Sequence, residues 1–296
     1  MKNSVEKIAK GIMTLFAVVA VAAVFSITVY MIAIGTPALS QVGVIELLFG
    51  TEWKPTAETP AFGIFYVILT SIVGTVASLL IGVPIGVLTA VFIAEIGNKK
   101  ITAIVQPAVE LLAAIPSVIY GLVGVMVLKP IMYQWEMMIF ADNSTHQYTG
   151  GSNLMSAILV LAVMILPTVI NISTSSIRAV QPALKSASLG LGATKIQTIF
   201  KVVLPAAKSG IMTAIVLGLG RALGEAMAIN MVAGGVVNLP LPFNSVRFLT
   251  TAIVSEMGYS EGLHRQVLFT IGLVLFAFIL FTNLILTRLI KKGEQK

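Results

Sequence analysis

Arg221 and Glu225 stand four residues apart in the run from Ala206 to Ala233, whose only other charge is Lys208 near its start. Charges inside a long apolar helix are costly and usually mark a pathway or a site. Residues four apart share one face of a helix, so a guanidinium and a carboxylate at this spacing can pair and lessen their burial cost. An Arg fork suits a tetrahedral oxyanion, and an entering anion would compete with Glu225 for it. The alternative is a buried ion pair that only orients the helix. Counted from Pro205 at about 1.5 Å per residue, Arg221 lies about 24 Å along the helix, near mid-bilayer for a span.

Three further side chains at membrane depth carry polar chemistry. Glu110 lies nearer one end of its apolar run, where it either snorkels or borders a pathway. Ser117 and Tyr120 offer hydroxyls to a path, or to carbonyls freed by Pro116. Nothing here resembles catalytic machinery. The chain has no Cys, and its two histidines, His146 and His264, are far apart and lack metal-ligand spacing, so no catalytic or metal residue is expected. No G-x-x-x-x-G-K-[ST] occurs, and Gly218, Gly220 and Gly224 have the wrong spacing for a dinucleotide fingerprint, so no cofactor is expected on this chain.

The elements that must hold these residues follow from composition. Of 296 residues, 57% are apolar and 10% are charged. That places the chain among membrane proteins. The net charge of +7 is dispersed between apolar runs, which argues against a nucleic-acid surface. Six apolar segments are long enough to cross a bilayer, at 11–35, 62–95, 103–128, 153–175, 206–234 and 267–287. The first resembles a signal peptide, with Ala38-Leu39-Ser40 after it, but its apolar run is too long and it is expected to stay as a span.

Lys and Arg concentrate in one set of connections, with Lys2, Lys99, Lys100, Arg178, Lys185, Lys195, Lys201, Lys291, Lys292 and Lys296 among them. The other set carries only Lys54, Lys129, Arg247 and Arg265, so both termini are expected in the cytoplasm. Gly74, Ser78, Gly82, Gly86, Ala90 and Ala94 recur every fourth residue in the second span, a ladder for close helix packing. Pro84 gives that long span a cause to tilt or break, and Pro116 and Pro167 do the same in the third and fourth. Phe248 to Val254, within the last outer connection, reads as a short re-entrant or interfacial helix. No internal repeat is evident.

Gln181 to Pro205 is basic and amphipathic. Small residues precede Gly192, which permits a sharp turn between two short helices, with Lys185, Lys195 and Lys201 facing water. This stretch resembles the cytoplasmic coupling loop of ABC importer permeases, E-A-A, three residues, Gly, nine residues, Ile-x-Leu-Pro. Ala187, Gly192, Leu204 and Pro205 match and Val202 takes the Ile position, while Ser186 and Ser188 replace Glu and Ala. Gly50-Thr51-Glu52-Trp53-Lys54-Pro55, Glu110 to Gly121 and Gly220 to Ala228 resemble phosphate-specific permeases of this binding-protein-dependent family, and the Glu-Trp loop resembles the PstC-type of the two paralogous subunits.

The resemblance implies an all-α polytopic protein with six transmembrane helices and the type I ABC importer permease fold, in a prokaryotic inner or plasma membrane. Residues 1–61 form a first span and outer loop, and 62–290 a permease core containing the coupling loop 181–205. It further implies a second homologous permease subunit, a dimeric cytoplasmic ATPase and an extracytoplasmic phosphate-binding protein as partners, within a lipid bilayer. The ATPase would dock on Ala187, Gly192, Ala193, Lys195, Leu204 and Pro205 and would hold ATP and magnesium. A permease for another oxyanion and a secondary transporter or channel without an ATPase are the alternatives. A membrane enzyme is disfavoured by the lack of a clustered site.

Overall fold

The computed structural model describes the backbone of residues 2–294 and the side chains of residues 6–288. Of the lysines that argue orientation, Lys296 and the side chains of Lys2, Lys291 and Lys292 lie outside those described.

In chain order the elements are α1 (Lys2–Val42), α2 (Val44–Phe49), β1 (Trp53–Lys54), β2 (Ala61–Phe62), α3 (Phe65–Val91), α4 (Lys99–Ala114), α5 (Ser117–Val123), α6 (Lys129–Ile139), α7 (Leu154–Arg178), α8 (Pro182–Gly190), α9 (Lys195–Thr198), α10 (Leu204–Ala206), α11 (Lys208–Gly224), α12 (Met227–Val232), α13 (Leu249–Glu256) and α14 (Gly262–Glu294). Single π-helical turns at Phe92–Ile96, Gly124–Leu128 and Ile199–Val203 extend α3, join α5 to α6 and join α9 to α10. The two short strands form an antiparallel ribbon with Trp53 opposite Phe62.

Among the described residues, five helical stretches are long and apolar enough to cross a membrane: Glu6–Val42, Phe65–Ile96, Ser117–Ile139, Leu154–Arg178 and Gly262–Arg288. A sixth is obtained if Lys195–Ala206 and Lys208–Gly224, bent by 68° at their junction, form one broken span. Four of the expected segments, 11–35, 62–95, 153–175 and 267–287, are matched by these stretches, and the third and fifth are corrected.

The third span is not 103–128. Ile115 is extended, Pro116 caps α5, and the chain breaks there, so α4 is a separate helix and the span runs Ser117–Ile139. Proline disfavours helical geometry in the residue before it, which moves the boundary to Ile115. The fifth span is not a continuous helix over 206–234. It stops at Gly224, and Glu225 and Ala226 separate it from α12. By contrast, α3 and α7 run unbroken through Pro84 and Pro167.

The α3 ladder packs against α7. A Cβ placed on Gly82 would lie 2.7 Å from Ile165 Cδ1, and one on Gly86 2.7 Å from Val169 Cγ1. In a solvent as apolar as the side chains, such close approach supplies the contacts that hold two helices together. At the head of the ladder, Gly74 makes room for the Phe248 ring, which seats the start of α13. The short helix expected near Phe248 is this α13.

Buried side chains fall into successive layers. A middle layer joins α7, α12, Val246 and Phe248, with Leu161, Ile165 and Ile229 among its fully buried members. One flanking layer gathers Leu47, Phe62, Leu249, Leu268 and Ile271. The other gathers Ala90, Val91, Ile177, Ile199, Val203 and Ala207 around the foot of α3 and α7. α1 leans on α14, where Thr270 Oγ1 donates to Gly35 O at 2.8 Å.

Candidate functional site

The two central charges occupy opposite sides of the break in the fifth span. Arg221 lies in the last turn of α11, beside carbonyls that carry the negative end of the helix dipole. Glu225 has left the helix, with φ −72 and ψ 131. Its Oε1 accepts the Ala228 N–H at 2.9 Å and so caps α12, while its carbonyl accepts Thr250 Oγ1 at 2.6 Å. No ion pair joins Arg221 to Glu225, and the expectation that they share one helical face is corrected. Each charge instead meets the opposite end of a helix, which stabilises both without neutralising the guanidinium. Among the described residues Arg221 has no carboxylate partner.

The neighbouring hydroxyls divide. Tyr120 donates to Leu112 O at 2.7 Å, bridging the break at Pro116. Ser117 begins α5 and is half-buried. Glu110 is exposed on α4, outside the candidate spans, and accepts Gln106 Nε2 at 3.1 Å, while Gln106 Oε1 accepts Arg178 Nη2 at 3.1 Å. This relay joins α4 to the end of α7. α5 itself packs on α12, where Gly121 brings the two backbones together: a Cβ there would lie 2.9 Å from Ala228 Cα.

The basic stretch folds as two short helices about a tight turn. Gly192 has φ +85, a conformation that L side chains adopt at a cost, and it turns the chain between α8 and α9. Thr194 and Gln197 form a reciprocal capping box at the start of α9. Ser188 and Thr198 hydroxyls lie 2.9 Å apart and hold the two helices together. Beyond them Val203 and Ala207 are buried in the layer with Ala90 and Ile177, so the loop is fixed to the feet of α3 and α7.

Outward it presents Ala187, Lys195 and Pro205, with Ala193 and Leu204 partly covered. Around them are the exposed apolar side chains Leu189, Leu191, Ile196 and Phe200, and Leu191 is 90% exposed. Exposed apolar groups of this kind are characteristic of protein or membrane contacts. Lys201 faces solvent as expected, but Lys185 does not. It pairs with Glu95 in the π-helical turn at the foot of α3, with side-chain exposures of 26% and 12%. Sequence order gave no hint of a bond across 90 residues.

Two buried carboxylates were also missed, because each lies among the acids of connections that the sequence reading places outside the membrane. Glu136 is fully buried and accepts the Thr149 N–H at 2.9 Å and its hydroxyl at 3.0 Å, with His146 Nε2 at 2.9 Å. Glu256 is held by Trp53, Arg247 and His264. Both histidines thus lie against buried glutamates.

Residues 82–293 match the family model described as binding-protein-dependent transport system inner membrane component. The chain is 38% identical to a probable ABC transporter permease protein, YqgH, of Bacillus subtilis over 94% of this chain and 89% of that protein. It is 33% identical to the phosphate transport system permease protein PstC of Pasteurella multocida over 85% and 82% of the two chains. In architecture it is similar to a chain of a bacterial alginate ABC transporter solved with a pentasaccharide-bound periplasmic protein, with TM-score 0.62, 20% identity and coverage of 94% and 95%. With its several membrane-spanning helices, and with relatives that are transport subunits rather than enzymes, the chain belongs to the binding-protein-dependent family of ABC transporter inner-membrane permeases.

Proposed function

We propose that this permease forms one half of the pathway of an ATP-driven phosphate importer, with both termini in the cytoplasm. The observation that carries the substrate is the identity of 32–33% to PstC proteins of several bacteria over 84–87% of this chain. The site chemistry agrees with it. Arg221, with no carboxylate partner among the described residues and at a break in the fifth span, is a fork free to take two oxygens of a phosphate.

Glu225 acts differently from a simple counter-ion. Its charge is committed to the start of α12, so it holds the break open and adds repulsion that keeps the anion from binding too tightly. Solute then passes because attraction and repulsion lie close together. Ser117 borders this region as a further pathway candidate, and Tyr120 stiffens it.

Energy enters at the other end. Ala187, Gly192, Ala193, Lys195, Leu204 and Pro205, with the exposed Leu191 and Ile196, form the face for a dimeric ATPase that holds ATP and magnesium. A homologous permease supplies the second half of the pathway, and an extracytoplasmic phosphate-binding protein delivers the ion to the outer loops.

Co-expression with the partner subunits, purification and reconstitution in liposomes test this reading. Phosphate uptake that requires ATP and resists excess sulfate is expected. Preferential uptake of sulfate would overturn the substrate, and failure to recruit any ATPase would overturn the coupling.

A further inference from the structure

Glu256 closes α13 and is 4% exposed. A carboxylate at that depth is retained only when its oxygens are satisfied. Here Trp53 Nε1 lies 3.1 Å from both oxygens, Arg247 Nη1 pairs with Oε1, and His264 Nε2 is 2.7 Å from Oε2. The donors come from three separate places: the β1 ribbon of the first outer loop, the segment before α13, and the first turn of α14. Tyr259 stands beside them, its phenol pushed above the usual range by burial and then by the Glu256 carboxylate, with Arg247 opposing.

What this cluster fixes is the hairpin of α12 and α13. Arg247 Nε donates to Gly235 O at 2.7 Å, and Val246 exchanges main-chain bonds with Ala233 and Gly235, which ties the end of α12 to the approach of α13. At the other end of α13, Leu249 N–H donates to Ser71 Oγ at 2.9 Å, and Thr250 Oγ1 donates to the Glu225 carbonyl. One short rigid helix therefore has the outer cluster at its last residue and the break in the fifth span at its second.

We propose that Glu256 is a positioning residue for the pathway: through α13 and Thr250 it sets the open backbone at Glu225 and Ala226, so that whatever moves Trp53 or His264 at the outer loops also moves the break. This deepens the reading of that break as part of the pathway and rests on it. A staple that merely keeps the protein folded would change how much complex assembles, but not the local opening of the complexes that do.

The absence of Cys from the chain makes the distinction measurable. Ala226→Cys, at a half-buried position, is introduced as a reporter, and its rate of labelling by a membrane-impermeant maleimide is followed in the assembled complex, with any partner cysteines removed. Glu256→Gln keeps the shape of the side chain and removes its charge, while Thr250→Val leaves the cluster intact and removes only the link. Each is expected to raise the labelling rate about fivefold, the factor that loss of one hydrogen bond of about 1 kcal/mol produces.

The double variant is expected to label no faster than the quicker single one, because both act on one element. Rates that do not change, or that multiply in the double variant, would overturn the proposal. If Glu256→Gln does not assemble, Trp53→Phe, which keeps the carboxylate with Arg247 and His264, takes its place in the same cycle. Labelling needs no transported solute, so a failure of phosphate uptake is read separately.

Discussion

The Glu225 carboxylate accepts the main-chain N–H of Ala228 at 2.9 Å. A residue expected to neutralise Arg221 is instead the cap of the next helix. The same four-residue spacing that allows an ion pair on a continuous helix separates the two groups once the helix ends at Gly224, because Glu225 then takes extended backbone.

This arrangement separates the roles of the two charges. Glu225→Gln retains an oxygen to accept the Ala228 N–H, whereas Glu225→Ala loses the cap at a cost of about 0.5–2 kcal/mol. Thermal unfolding of the purified complex should fall for the Ala variant and stay near wild type for the Gln variant, while phosphate uptake changes in both. Equal unfolding temperatures for the two would show that the cap contributes nothing.

Arg221→Lys preserves the charge but removes the fork. Loss of one oxygen contact to an anion corresponds to at least about tenfold in transport efficiency at subsaturating phosphate. Liposome uptake measured over a range of phosphate concentrations checks this, and wild-type transport by an assembled Lys variant would place the ion elsewhere.

The Lys185 and Glu95 pair joins α8 to the foot of α3. Being partly exposed, it contributes about 1 kcal/mol rather than the larger value of a fully buried pair. Glu95→Lys and Lys185→Glu should each raise the ATP hydrolysed per phosphate moved, and the combined exchange should restore the wild-type ratio. A combined variant no better than the single ones would mean that the pair transmits nothing.

Gly192 has open space where a Cβ would go, so its requirement is conformational. Gly192→Ala should cost roughly 1–2 kcal/mol in loop stability and weaken retention of the ATPase, while Gly192→Asn, which visits the left-handed region more readily, should cost less. Co-purification yields of the ATPase subunit test the order.

Glycines that look alike in the sequence should respond oppositely. At Gly82 a methyl group meets Ile165 and, at 3.0 Å, the Ala162 carbonyl oxygen, which cannot rotate away. Crowding there costs about 1–3 kcal/mol. At Gly220 nothing lies within 4 Å, so Gly220→Ala should stabilise the isolated subunit by up to about 1 kcal/mol through helix propensity. Melting of the subunit in detergent should move down for the first and up for the second.

Sequence by itself determined the class of this protein and the position of most spans, because a run of about 20 apolar residues has few other stable environments. It determined the turn at Gly192, where the residue type admits the conformation, and the ladder on α3, where a four-residue period places small residues on one face. It also singled out Arg221, since a charge in such a run needs a reason.

Tertiary structure decided where helices end. Pro84 and Pro116 are the same residue in similar apolar surroundings, yet one lies inside a helix and the other breaks the chain, because packing against α7 supports α3 on either side of its proline. The end of α11 at Gly224 likewise depends on Thr250 from α13 and on the cap that Glu225 gives α12. The partners of Glu256 and Lys185 were hidden for a related reason. Each bond joins residues brought together only when helices distant in the chain pack side by side, and no local spacing records which carboxylate a given lysine, arginine or tryptophan will meet.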